Sequence, residues 1–220
     1  MHPRLCLLAL LSVVPVLSAP AVTFRTSSYA LEVNGEGEVC ALRQGGIDYL
    51  AEGQPAPLLQ VRAGGVWHRP ERMDWDAASA RMRLEYGVPQ VQAEVRAEAK
   101  PSHVVFELCA LEPVDRVEVV LWGPYPTSIG ETVGETVGVV RNAQSALGIQ
   151  ALNAKTLGGF PASEDDVMPM YDIFSGGDYS DIAAEQRDRE LYRGDTAKPV
   201  PFGSVLQAYC RNRSQERVIA

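Results

Sequence analysis

No complete catalytic motif occurs in the 220 residues. GxSxG, GxGxxG, a phosphate loop and HExxH are all missing, which removes the usual signatures of nucleophilic hydrolases, dinucleotide enzymes, phosphate-loop proteins and zinc proteases. Histidine is scarce: His2 near the start, His68, and His103, which comes after Ser102 where an exposed turn is the ordinary expectation. Cysteine is scarce too. Cys6 lies in the first apolar run, and Cys40, Cys109 and Cys210 lack CxxC or CxxH spacing, so a zinc site is not expected. Three leave room for one disulfide whose pairing is not legible, and Cys109, alternating with Val105 and Glu107, reads as a buried thiol. Lys and Arg number 20 against 28 Asp and Glu, without a basic cluster, and the net charge is -8. Phosphate neutralisation needs such a cluster, so nucleic acid is not an expected partner.

Beyond the N-terminus no apolar run approaches the roughly 20 residues of a membrane span. The first run is shorter: His2 and Arg4, then Leu5 to Leu17, then Ala19-Pro20-Ala21 with small residues. This predicts a signal peptide over 1–21, cleaved after Ala21, and a secreted or periplasmic protein. Hydrophobic content of 46% with 22% charged residues is ordinary for a globular domain.

From Tyr29 onward the chain alternates with a period of two. Tyr29, Leu31 and Val33 share one face, Gly35-Glu36-Gly37 turns, and Glu38–Arg43 and Ile47–Leu50 continue as a β-meander. Leu58–Val61 is another apolar run. Met82, Leu84 and Tyr86, then Val91, Ala93, Val95 and Ala97, mark two strands with one dry and one wet face. Val104, Phe106 and Leu108 extend the pattern, and a more apolar opposite face predicts a central strand. Short strands without long helices between them predict an antiparallel sandwich over 22–211. Residues 158–201 lack strand patterning and are acidic. They predict a loop insertion with a short helix from about Ser180 to Arg193, capped by Ser180 and closed by Gly194. Gly203–Arg211 reads as a final strand. Asn212–Ala220 reads as the start of a linker or following domain, and its Asn212-Arg213-Ser214 triplet fits a glycosylation sequon.

The stretch Val117 to Gly159 carries the candidate ligand residues. A strand with Val117, Val119 and Leu121 on one face breaks at Gly123-Pro124, flanked by Trp122 and Tyr125. Aromatic rings at a strand end suit the C–H faces of sugars, though Trp122 as a plug of the sandwich end is the slightly better reading. Glu131 and Glu135, in the repeated GETV units, invite comparison with paired catalytic carboxylates. The Gly and β-branched residues around them favour extended chain, placing positions four apart about 13 Å from each other. Retaining glycosidases need about 5–5.5 Å, so the repeat reads first as a twisted or bulged edge, with contact to a ligand or neighbouring domain ahead of direct catalysis. Asn153 and Lys155 come after the last central strand, where an amide and an ammonium suit hydroxyls or serve as loop staples. Trp67 and Trp75, near His68 and Asp74/Asp76 on a Gly65–Ala78 connection, offer a second aromatic rim. Asp165, Asp166, Asp172 and Asp178 supply the hard oxygens calcium prefers, without the regular spacing of a calcium loop. A solvated face is the better reading of them, and no cofactor is expected.

The succession YALEVNGEGEVCALRQGGIDYL, PLLQVRAGG, RMRLEYGVPQVQAEVRAEAKPSHVVFELCAL and VEVVLWGPYP resembles the opening of a galactose-mutarotase-like β-sandwich. The resemblance covers about 22–160 and 202–211. It implies the domain found at the front of exported bacterial glycoside hydrolases, whose acid and nucleophile sit in a following β/α barrel. The family's aldose epimerases use two histidines and a carboxylate within the sandwich. His68 and His103 do not match that arrangement, which speaks against epimerase chemistry.

The expected function is therefore a non-catalytic, carbohydrate-associated domain of a glycoside hydrolase-like protein, a piece of a longer chain. Its expected partners are carbohydrate and the following catalytic domain, met by Trp122, Tyr125, Glu131, Glu135, Asn153 and Lys155. Three rivals stand beside it: a free-standing carbohydrate-binding module, a structural cell-envelope domain, and a complete small sugar enzyme.

Overall fold

A computed structural model describes residues 21–134, 138–159 and 195–212. Within them the chain is all-β with antiparallel pairing, plus one turn of 3₁₀ helix at Val114–Arg116. No helix among the described residues is long and apolar enough to cross a membrane. The strands are β1 (Val22–Arg25), β2 (Ala30–Val33), β3 (Val39–Gln44), β4 (Ile47–Asp48), β5 (Leu59–Ala63), β6 (Val66–His68), β7 (Arg72–Asp76), β8 (Arg81–Tyr86) and β9 (Val91–Ala99). They continue as β10 (Val104–Glu112), β11 (Val119–Thr127), β12 (Thr132–Val133), β13 (Val139–Arg141), β14 (Ala146–Gly148), β15 (Leu157–Gly158), β16 (Ala197–Val200) and β17 (Gly203–Arg211).

Four sheets result. β1-β2-β3-β4 is the expected meander, turned between β2 and β3 by Asn34, whose Oδ1 accepts from the N–H groups of Glu36 and Glu38 at 3.0 and 2.9 Å. β10-β9-β8-β7 is a second meander. The largest sheet runs β15-β17-β11-β5-β6, with β16 also on β17, and β12-β13-β14 forms a small sheet of its own.

One core is shared by the first three sheets. It takes Phe24, Val33 and Val39 from the first meander and Met82, Leu84, Tyr86, Val91, Ala93 and Val95 from the second. The large sheet adds Leu59, Val61, Val120, Trp122 and Cys210. Each large apolar side chain among them contributes roughly 1.5–3 kcal/mol on burial, which is why the period-two pattern so firmly sets which face turns inward. A satellite core of Tyr49, Ile129, Val140, Ala197 and Leu206 seats the small sheet. The large sheet is buried on its other face as well, where Val119, Leu121 and Tyr209 cluster.

Several expectations are corrected here. β10 is an edge strand of its sheet, and the bulge between Leu108 and Ala110 ends strict alternation and turns both Leu108 and Leu111 inward. Its apolar opposite face therefore does not signify a central position, and Cys109 is half-buried at that bulge. Val117 joins the main core, whereas Val119 and Leu121 face away from it. The Gly65–Ala78 connection contains two strands, β6 and β7. β16 lies within the expected 158–201 insertion and shortens it. The helix expected at about Ser180 to Arg193 and the aspartates from Asp165 to Asp178 lie outside the described residues, as do 1–20 and 213–220. At the end of β17 the Asn212 amide donates to the Val114 and Val117 carbonyls, both at 3.0 Å, so the sequon nitrogen is engaged in the folded chain.

Candidate functional site

Trp122 and Tyr125 belong to the interior. The strand does not break at Gly123-Pro124, which forms a cis peptide inside β11, and pairing with β17 shifts register between Trp122 and Tyr125. Gly123 adopts φ +93°, and a Cβ there would meet Tyr125 N at 2.7 Å and Leu206 O at 3.0 Å. This bulge absorbs the missing proline N–H, so the chain continues to Thr127. Trp122 is 5% exposed and packs against Phe106 with ring centroids 6.2 Å apart. The Tyr125 ring keeps some exposure, but its hydroxyl donates to the Leu58 carbonyl at 2.6 Å.

Tyr86 makes the neighbouring bond, its hydroxyl to the Leu59 carbonyl at 2.9 Å. Burial pushes both phenols well above the ordinary tyrosine value near 10. The folded chain then holds these protons where the unfolded chain releases them. Their contribution to stability is whole below pH about 10 and is lost as pH rises beyond it. Alkaline titration followed by circular dichroism should show midpoints in urea falling above pH about 10, and Tyr86→Phe should blunt that fall.

Glu131 is exposed between β11 and β12, and Glu135 lies outside the described residues. Asn153 is a staple: its Oδ1 accepts from the N–H groups of Lys155 at 2.8 Å and Thr156 at 3.0 Å, forming an Asx turn. Lys155 is exposed beside it. Trp67 stands on edge strand β6, 37% exposed, whereas Trp75 packs edge-on against Phe24 with centroids 5.5 Å apart. They share no rim.

A concave surface lies elsewhere, at the end of the β7–β10 sheet. Its outer face is wet: Arg81 pairs with Glu94, Arg96 with Glu107, and Arg72 with Asp74 at 2.9 Å. Exposed pairs of this kind add little stability, about 0–1 kcal/mol each, but keep the face solvated. The last row across the four strands is Arg72, Glu85, Gln92 and Glu112, each directly opposite its neighbour. Beyond it a groove of about 880 Å³ opens between the β8–β9 turn and the chain after β10, lined also by Glu71, Gln90 and Pro113. Arg116 donates to the Pro89 carbonyl at 3.0 Å and ties the two walls together. Gly87 leaves the space its missing Cβ would fill to the Glu71 carboxylate, which sits against the turn.

The lining offers acceptors on three carboxylates, donors on Arg72, and both on Gln90 and Gln92. Arg72 is already shared between Asp74 and Glu85, the latter at 3.9 Å. These groups can offer several hydrogen bonds to a polar, hydroxyl-bearing molecule. Compared with known proteins, the chain matches no family model, no curated protein and no solved structure.

Glu85 and Gln92 were visible in sequence as wet-face residues of two clean strands flanking Gly87-Val88-Pro89-Gln90. Their alignment with Arg72 and Glu112 depends on register across four strands, which the one-strand pattern does not contain. Among the described residues no three His, Cys, Asp or Glu side chains are grouped to hold a metal ion.

Proposed function

We propose that the chain is an exported, non-catalytic, carbohydrate-associated domain of a glycoside hydrolase-like protein, working beside a catalytic domain of the same polypeptide. Residues 1–21 act as the signal peptide, and the mature protein is secreted or periplasmic. In this reading the β7–β10 sheet and the β5–β11–β17 sheet are the two layers of a galactose-mutarotase-like sandwich, with the first meander closing one side of their common core.

The groove carries this reading. Amides, carboxylates and a guanidinium stand at fixed interstrand spacing on a rigid sheet end, as recognition of hydroxyl-rich ligands requires. Trp122 and Tyr125 support the sandwich rather than the sugar. The test is retention of the intact chain on polysaccharide columns, together with an assay for released reducing ends. Retention without release is expected. Release of sugar by this chain alone would make it an enzyme, and failure to be retained on any glycan would remove the carbohydrate reading.

A further inference from the structure

We propose that the groove takes an extended, hydroxyl-rich oligomer without anionic groups, laid across strands β7 to β10; this rests on the carbohydrate reading above. The row Arg72, Glu85, Gln92 and Glu112 crosses four strands. At about 4.8 Å between neighbouring strands it spans roughly 14 Å, more than one sugar ring occupies. Its groups alternate along that line: a donor, an acceptor, an amide that serves as both, and an acceptor. A single ring would engage part of the row, whereas a chain of rings presents hydroxyls to all of it.

Charge selects the class. Glu71, Glu85 and Glu112 line the groove together with Arg72, which is held by Asp74 at 2.9 Å. The Arg116 guanidinium that bridges the two walls donates to the Pro89 carbonyl at 3.0 Å, so carboxylates outnumber guanidinium groups. Glu71 and Glu112 make no ion pair among the described residues. A uronate or sulfated chain would bring further negative charge to this surface, and among the described residues no unengaged cation lines the groove to receive it. Neutral or amine-bearing oligomers meet no such penalty.

The test is calorimetric titration of the intact chain. The probes are neutral β-1,4-linked oligomers of glucose, xylose and N-acetylglucosamine, from monomer to hexamer, with oligogalacturonate as the anionic comparison. Affinity should climb from monomer to trimer for at least one neutral series and level off once the chain outgrows the row. Oligogalacturonate should bind at least about tenfold more weakly, and Glu71→Gln with Glu112→Gln should narrow that gap. Gln92→Ala, at an exposed position, should weaken the neutral trimer about tenfold with melting unchanged, while Glu131→Gln should leave binding unaltered. Monomer and trimer binding equally, anionic oligomers binding as well as neutral ones, or no effect of Gln92→Ala would overturn the proposal while the carbohydrate reading stands. Absence of binding to every glycan would overturn both.

Discussion

Trp122→Ala should cost about 3–5 kcal/mol of stability, the range for emptying a large aromatic site in a packed core. Trp122 is 5% exposed and sits among Leu59, Val61, Val120 and Cys210. It lies against Phe106, which in turn packs edge-on against Phe24 with centroids 5.7 Å apart. The cavity would open at the junction of all three sheets that share the core, where no single neighbour can collapse into it. Since domains are stable by only about 5–15 kcal/mol, a loss of this size takes a large share of the total. A fall in melting temperature of roughly 10 °C or more is expected by calorimetry. Trp122→Phe, which keeps an aromatic ring, should lose clearly less. An alanine variant that melts like the parent would place Trp122 outside the core. Any loss of glycan binding in Trp122→Ala must therefore be read against its folding.

Gly203→Ala should also be strongly damaging. Gly203 opens β17 with φ +139°, a conformation that costs other residues about 1–3 kcal/mol. A Cβ there would overlap the Thr127 carbonyl oxygen and stand 2.8 Å from the Ser128 carbonyl carbon, both backbone atoms of the paired strand region. Relief requires β11 and β17 to separate where the Thr127 and Ser204 hydroxyls bond at 2.7 Å with both residues fully buried. Gly64 supplies the control, because it has φ +57° with nothing within 4 Å of its would-be Cβ. Gly64→Ala should cost only the left-handed conformation, about 1–2 kcal/mol. Urea denaturation should show Gly203→Ala as the larger loss; equal losses would mean that the close approach to Thr127 carries no weight.

Much of the fold was legible because one-sided burial writes itself into alternate residues. Met82, Leu84 and Tyr86 face in and Arg81, Arg83 and Glu85 face out, as their order on the chain requires. Patterns failed where geometry departs from a plain pleat. The β11 bulge lets a Gly-Pro pair sit inside a strand, so an apparent strand end carrying Trp122 and Tyr125 proved to be interior. The β10 bulge likewise imitates a strand with two apolar faces. β6, with Val66 and Trp67 exposed, lacks the alternation that would have marked it. The groove was hidden for a different reason. Glu71, Glu85, Gln92 and Glu112 come from four separate parts of the chain, and only strand register brings them to one end of the sheet.

The most direct test of a groove site is a backbone-amide NMR titration of the intact chain with the neutral oligomers. Perturbations should concentrate at Glu71, Arg72, Glu85 to Gln92 and Glu112, with the surroundings of Glu131, Asn153 and Lys155 unmoved. Perturbations centred on Glu131, Asn153 and Lys155, or none anywhere, would contradict a carbohydrate site at this end of the sheet.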